Sequence, residues 1–398
     1  MPETASSTTS RVPLLRGQGG RRLRVLHLTT VDMSLWLLLR TELGCDLRAG
    51  LDVHTASAPG PYVERLRSTG LQHHGLPALS RRWSPRRDAV AARQLWSLLR
   101  RLRPDVLHTH TPKAGVLGRI LGRAAGVPVV VDTCHGLWTR AGQPSWVRAG
   151  VVTVEGVASR FAHAELYQNA EDAIALRHWA PGRQQVVGNG IDLSRFTPDG
   201  RARARLRAEW GIADDVVVVG GVGRLVAEKG VLDLARAAAA FPRGVETVWV
   251  GPLDDDKPDA LGRVPGGVRL LGAQEDMPAV YNALDVFVLP SHREGFSRSA
   301  MEAAATGLPM VLTDIRGCRE VGRHEEHLLL VPPGDPAALA SAVSRLVADR
   351  SLRVRLGAAA RERALREFDQ VEVALRSLRT YADVAGRRGL GWSTGGDR

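Results

Sequence analysis

Two series of short apolar, β-branched runs, separated by helical patterns, constrain this chain more than any other feature. The first holds LRVLHL (23–28), DVLHTH (105–110), VPVVVDT (127–133) and AELYQN (164–169). The second holds DVVVVGGVG (215–223), VETVWVG (245–251), VRLLG (268–272), DVFVLP (285–290) and LPMVLT (308–313). Runs that are apolar at nearly every position, rather than at alternate ones, are strands buried on both faces, which implies parallel sheets covered by helices. Two such series imply an α/β chain of two doubly wound, Rossmann-like domains. Its 398 residues, 44% of them hydrophobic, can supply two cores. The break falls in QQVVGNGIDLSRFTPDG (184–200), which is rich in turn-forming Gly, Asn, Asp and Pro. The expected division is a flexible tail (1–22), a first domain (23–188), a linker (189–200), a second domain (201–368) and a terminal stretch ending in a second flexible tail (387–398). Ligands of such sheets bind beyond the carboxyl ends of the strands, so a site is expected in a central cleft that the two domains face.

Charge narrows the partners. The formal net charge is +12, and only three of the 54 basic residues are lysine: Lys113, Lys229 and Lys257. The arginine excess reads as the codon bias of a GC-rich genome. The positive balance still implies an anionic partner: phosphorylated small molecules, an acidic membrane surface or nucleic acid. Cys45, Cys134 and Cys318 are an odd number without a C-x-x-C, which argues against a disulfide framework or zinc site and fits a reducing cytosol. No apolar run reaches the ~18–20 residues that span a bilayer, and the N-terminus lacks a signal-peptide core. A cytoplasmic protein is expected, peripheral at most to the inner face of the membrane.

Four stretches carry candidate chemistry. In SHREGFSRSAMEA (291–303), Glu294 follows a strand, Gly295 lets the backbone turn, and Ser297 is placed to cap a helix that holds Glu302. Carboxylates so placed suit the gripping of hydroxyl pairs, with the backbone of Gly295, Phe296 and Ser297 beside them; the alternative is a solvated helix face. In GGVGRLVAEKG (220–230), Arg224 and Lys229 stand near a helix N-terminus, where an anion would dock. The glycines there lack the third member of a dinucleotide fingerprint, since residue 226 is valine. In VDTCHGLW (131–138), His135 lies at a strand end and can donate to a bound sugar or phosphate. In HTHTPKAG (108–115), His108, His110 and Lys113 lie at another strand end. With no third ligand nearby, no metal site is expected from the two histidines. LDDDKPD (253–259) reads as a solvated loop. RRWSPRRDAVAARQLWSLLRRLR (81–103) reads as a basic amphipathic helix with Val90, Leu95, Leu98, Leu99 and Leu102 on its core face. With GLWTRAGQPSWVR (136–148), it makes two basic, tryptophan-bearing stretches that suit an anionic membrane.

GRLVAEKG, PSHREGFSRSAMEAAATGLPMVLTD and VVGNGIDLSRF together resemble family 4 of the glycosyltransferases, retaining enzymes of the GT-B fold, over about residues 23–385. The E-x7-E motif matches at Glu294 and Glu302. The resemblance implies that 23–188 is the acceptor-side domain, that 201–368 binds a nucleotide sugar, and that the helix 369–386 crosses back to the N-terminal domain. It implies that Arg224 and Lys229 neutralise the donor diphosphate without a metal, that Glu302 holds the ribose, and that Glu294 with Gly295, Phe296 and Ser297 positions the donor sugar. His135 is similar to the family's N-domain active-site histidine. No cofactor is implied beyond the co-substrate, a UDP- or GDP-sugar. The family's glycine-rich loop is replaced by TTVDMSLWLLL (29–39), so Asp32 and Ser34 are candidates to face the acceptor, and His110 and Lys113 are further candidates for the acceptor side. TTVDMSL, HTHTPKAGVLGR and DIRGCREV (314–321) look most like members that build capsular, exopolysaccharide or lipid-linked glycans, which makes the expected acceptor a glycan, a polyprenyl-linked sugar or a small molecule. Two other readings are an epimerase of sugar nucleotides on the same fold and a basic nucleic-acid-binding protein. The second is weakened by scattered arginines and the lack of a recognition motif, so no nucleic-acid partner is expected.

Overall fold

The computed structural model describes residues 12–139, 143–180, 182–254, 259–262, 264 and 266–394. The described chain forms two compact units. The N-terminal unit includes everything described up to Thr139, then Pro144–Gly188, and finally the stretch from Gln370. The C-terminal unit includes Asn189–Asp369.

The N-terminal unit is built on seven parallel strands: β1 (Arg24–Val31), β2 (Asp52–Ala58), β3 (Gln72–Gly75), β4 (Val106–His110), β5 (Val129–Cys134), β6 (Ala164–Tyr167) and β7 (Gln184–Val186), in the order β3-β2-β1-β4-β5-β6-β7. The order reverses at β1, where doubly wound sheets place their ligands. Helices cover both faces: Leu95, Leu98 and Leu99 of the Pro85–Leu102 helix pack with Leu26, Leu28 and Leu107, while Leu375, Leu378 and Tyr381 of the Gln370–Arg387 helix pack with Val25, Val106 and Val129. On the Pro85–Leu102 helix, Val90 faces solvent and Ala91 takes the core position expected of it. Ala91 lies four residues before Leu95 and so joins the same stripe.

The C-terminal unit has six parallel strands: β8 (Val217–Val222), β9 (Val245–Val250), β10 (Arg269–Leu270), β11 (Val286–Leu289), β12 (Met310–Thr313) and β13 (Leu329–Val331), in the order β10-β9-β8-β11-β12-β13. Here too the order reverses at the first strand. The two ends of the chain differ from the tails expected of them. Leu15–Arg16 pairs antiparallel with Ser393–Thr394, Leu15 is buried, and Arg21 makes a two-pronged ion pair with Asp105 at 2.6 and 2.9 Å. These two short segments become structured because Val12, Leu15, Leu390 and Trp392 pack into the N-terminal core and the two backbones pair with one another.

Candidate active site

In the C-terminal unit the carboxyl end of β11 carries the stretch 291–303. Ser297 caps the Arg298–Thr306 helix, accepting from the Ala300 N–H at 3.3 Å. Glu294 sits in the turn before it, and its Oε1 accepts from Lys229 Nζ at 2.6 Å and from Ser291 Oγ at 2.8 Å. Both partners are largely shielded from water, which strengthens the pair. Glu302, one turn into the helix, accepts from Tyr281 Oη at 2.7 Å. Burial raises its carboxyl above the ordinary range, and the Tyr281 bond and Arg298 offset part of that rise. Phe296 is buried edge-on against Phe368, and its carbonyl accepts from Asn189 Nδ2 at 3.3 Å. The structure thus joins Glu294 to Lys229, while Glu302 bonds separately to a phenol.

Two glycines let the backbones meet here. Gly230 has φ +75°, and a Cβ on it would lie 1.8 Å from the Pro290 carbonyl oxygen. Gly317 lies against the Glu294 main chain, where a Cβ would come within 2.6 Å. No side chain fits either contact, so the loop after β11 is pressed against the loop after β8 at Gly230 and against the segment after β12 at Gly317. Further bonds lace them: the His292 N–H donates to the Glu228 carbonyl at 2.9 Å, Arg293 pairs with Glu228 at 3.1 Å, and Thr313 Oγ1 donates to the Ser291 carbonyl at 2.6 Å. Arg224 is ion-paired to Asp254. Asp254 and Asp259 belong to the stretch read as a solvated loop. Instead they bind the Arg224–Lys229 segment, Asp259 through its Oδ2 to the Glu228 N–H at 3.0 Å. Residues 255–258 of that stretch lie outside the described residues.

In the N-terminal unit, three candidates are occupied differently from expectation. Asp32 is buried, and its carboxylate accepts from the N–H groups of Met33 at 2.8 Å and Tyr62 at 2.7 Å, so it ties down a neighbouring loop. Lys113 is buried, pairs with Asp88 at 2.7 Å, donates to the Arg82 carbonyl and lies over the Trp83 ring. His110 is 1% exposed and stands between two other imidazoles. The half-buried His135 is bonded on both ring nitrogens, at 3.1 Å to His110 and at 2.9 Å to Gln168. Desolvation lowers its pKa to about 4.

The third histidine that sequence reasoning lacked is His27, brought beside His108 and His110 by the pairing of β1 with β4. The ground given for expecting no metal therefore fails. The hydrogen bonds argue against a metal more directly. His108 spends one nitrogen on Tyr381 Oη and the other on Thr133 Oγ1, both at 2.7 Å, and His27 Nε2 is bound to Asp46 at 2.7 Å. A metal would find only His27 Nδ1 and His110 Nε2, which already face one another at 3.1 Å. Tyr281 and Asp46 lay outside every stretch that sequence reading singled out, while Ser291, Asp254 and Gln168 lay inside such stretches without being assigned a role. Gly317 lay inside a stretch singled out for another reason.

Comparison with known proteins identifies the family. Residues 216–349 match the model of the glycosyl transferases group 1 family and residues 41–190 that of the glycosyl transferase 4-like domain. The chain is 32% identical over 306 residues to a D-inositol 3-phosphate glycosyltransferase of Xylanimonas cellulosilytica, covering 71% of this chain and 73% of that one. It is 29% identical over 308 residues to the UDP-Gal:alpha-D-GlcNAc-diphosphoundecaprenol alpha-1,3-galactosyltransferase of Escherichia coli, covering 74% and 79%. The sucrose-phosphate synthase structure from Thermosynechococcus elongatus superimposes with a TM-score of 0.80 at 23% identity, covering 92% of this chain and all of that one. The two Rossmann-like sheets, the paired Glu294 loop and these matches lead to one conclusion: the chain belongs to family 4 of the glycosyltransferases and has the GT-B fold.

Proposed function

We propose that this glycosyltransferase is a retaining, metal-independent enzyme that moves a sugar from a nucleotide donor, a UDP- or GDP-sugar, to a lipid-diphosphate-linked or other glycan acceptor. The observation that carries the reading is the Lys229–Glu294 pair between two loops pressed together at Gly230, with Gly317 packed on the Glu294 main chain from the segment after β12. Arg224 and Lys229 are both held by carboxylates, so an arriving diphosphate exchanges with Asp254 and Glu294. The exchange neutralises the diphosphate and its developing charge, the work a bound cation would otherwise do. It also frees Glu294 to accept from donor-sugar hydroxyls while Glu302 holds the ribose. The leaving phosphate then helps to deprotonate the acceptor on the same face, which retains the anomeric configuration.

The Escherichia coli relative, by its name, uses UDP-Gal and a diphosphoundecaprenol acceptor, and this supports a UDP donor and a lipid-linked acceptor here. Exposed Trp83, Trp96 and Trp146 among the arginines support docking on an anionic membrane surface at its inner face. No described helix is long and apolar enough to cross a membrane. Neither the epimerase nor the nucleic-acid reading gains support from the relatives.

The test is donor binding and hydrolysis across a set of nucleotide sugars, with and without chelator. One donor should bind in chelator, and Arg224→Ala should weaken it about 100-fold, the effect of losing a charge-assisted contact of ~3 kcal/mol. Chelator-sensitive binding, or full turnover in both Arg224→Ala and Glu294→Ala, would overturn the reading.

A further inference from the structure

A line of hydrogen bonds crosses the carboxyl side of the N-terminal sheet. It starts at half-buried His135 and ends on a carboxylate with no exposure to water. His135 Nε2 lies 3.1 Å from His110 Nδ1, His110 Nε2 lies 3.1 Å from His27 Nδ1, and His27 Nε2 lies 2.7 Å from Asp46 Oδ2. His27, His110 and Asp46 are at most 1% exposed. At the outer end the amide nitrogen of Gln168 meets His135 Nδ1 at 2.9 Å.

The chemistry of these groups fixes a direction. An amide nitrogen can only donate, so His135 Nδ1 accepts and its proton is on Nε2. His110 Nδ1 then accepts and its Nε2 donates. The same follows for His27, whose Nε2–H ends on the carboxylate, which can only accept. Three neutral rings, each with one donor and one acceptor, all point the same way.

We propose that Asp46, His27 and His110 are a proton relay for His135: they hold it as the Nε2–H tautomer and carry inward a proton that it receives at Nδ1. The steps balance. A proton binds His135 Nδ1 as Gln168 turns away. The His135 Nε2–H bond breaks and an N–H bond forms at His110 Nδ1. The His110 Nε2–H bond breaks and one forms at His27 Nδ1. His135 and His110 finish neutral, and the charge rests on His27 as an imidazolium against Asp46. On the transferase reading, on which this use depends, the proton is the acceptor hydroxyl's: the leaving phosphate takes it as the acceptor oxygen forms the new glycosidic bond, and then passes it to His135 Nδ1.

The surroundings suit a store at the inner end. Asp46 Oδ1 has no hydrogen-bond partner among the described residues, so His27 is the partner that compensates this buried charge. Burial works against a charged His27, but Asp46 and Glu42 outweigh it and raise its pKa. Glu42, from the same helix as Asp46, is itself pushed up to about 7 by burial. His108 and Tyr381 face the line from β4 and the Gln370–Arg387 helix; burial holds His108 and His110 well below the ordinary histidine value and holds Tyr381 above the ordinary tyrosine value. Charge entering at His135 is thus favoured at His27.

The test is nitrogen NMR of the full chain with labelled histidines, each ring assigned by substitution. At pH 8 the rings of His27, His110 and His135 should all be Nε2–H, and on acidification His27 should take the first proton. Asp46→Asn should lower the His27 midpoint by about one pH unit or more. Gln168→Ala should leave the His27 titration in place and His135 still Nε2–H, held through His110 alone. An Nδ1–H tautomer at His135, first protonation of His135, or an unmoved His27 midpoint in Asp46→Asn overturns the relay, and the wild-type spectrum alone decides the tautomer. In the transfer assay, Asp46→Asn should shift the acid limb of kcat and leave the donor KM unchanged. A relay seen by NMR with an unshifted kcat profile overturns its catalytic use. Absence of sugar transfer in the wild type is a separate result that overturns the transferase reading alone.

Discussion

Strand β11 of the C-terminal unit reads VFVL, and all four side chains are apolar and buried. Strand β4 of the N-terminal unit reads VLHTH, and it buries two histidines and a threonine. The contrast extends through both sheets. β8, β11 and β12 bring mainly aliphatic side chains to a core held by apolar burial, worth about 1.5–3 kcal/mol for each fully buried large side chain. The N-terminal sheet buries His27, His54, His108, His110, Asp132 and Glu165, each hydrogen-bonded to another side chain. Buried polar groups cost more than they return unless they are paired, so this sheet depends on correct pairing where the other depends on shape. The C-terminal unit also keeps Arg224, Lys229 and Glu294 on loops at strand ends. The N-terminal unit carries charge into its interior, and that is what makes a relay feasible there.

The largest expected break in this contrast is at Arg119. It is 1% exposed and pairs with Glu165 at 3.0 Å, with Asp132 at 3.7 Å and with Glu155. Arg119→Met leaves three buried carboxylates without their cation and should cost the N-terminal unit about 3–5 kcal/mol. Hydrogen exchange should show β5 and β6 losing protection while β11 and β12 keep theirs. Equal loss in both units would mean that the two sheets do not differ in this way.

The same contrast explains what could be read from sequence. Glu294, Gly295, Ser297 and Glu302 lie within nine residues, and their cation lies in one other short loop, so a local pattern contained the group. Apolar runs announced β8, β9, β11 and β12 for the same reason. β2, reading DVHTASA, carries no such run. It is buried through pairs such as His54 Nδ1 with His74 Nε2 at 3.0 Å, which only the folded register creates. The relay is the extreme case: His27, Asp46, His110, His135 and Gln168 come from five separate segments. His110 and Lys113 were legible as strand-end residues, but their burial was not, because each is hidden by partners far away in sequence.

Gly230 tests the C-terminal unit where shape decides. Gly230→Ala forces a Cβ onto the Pro290 carbonyl and an unfavourable φ. It should cost about 3 kcal/mol and separate the Lys229 and Glu294 loops. Donor binding should fall with it, while the nitrogen spectrum of the buried histidines stays as in the wild type. A changed histidine spectrum would show that the units are not independent in this respect.

An alkaline titration tests the N-terminal unit more gently. Burial pushes Glu165 up to about 8, Asp132 adds to the rise, and Arg119 opposes it. Its folded value lies above its unfolded one, so the stability it contributes is complete below the ordinary carboxylate range and is lost as pH rises through about 8. Protection of β6 should decline from about pH 5 to about pH 8 and level off above that, and Glu165→Gln should flatten the decline. A slope of the same size in Glu165→Gln would assign it to other groups.

The smallest expected effect concerns the cap at Ser297. Its Oγ satisfies one N–H of the Arg298–Thr306 helix, and no other side chain of that turn does the same for Ala300. Ser297→Ala should cost about 1 kcal/mol, too little to unfold a unit whose strands are packed on both faces. The loss should instead appear as faster exchange in the first turn of the helix. Glu302 lies one turn further in and is held independently by Tyr281, so its position should survive. Donor affinity in Ser297→Ala therefore separates two roles of this turn. A fall no larger than the helix loses in stability makes Ser297 a cap alone. A larger fall means that its hydroxyl or backbone also meets the donor, and that the C-terminal site, like the N-terminal relay, depends on exact hydrogen-bond pairing as well as on shape.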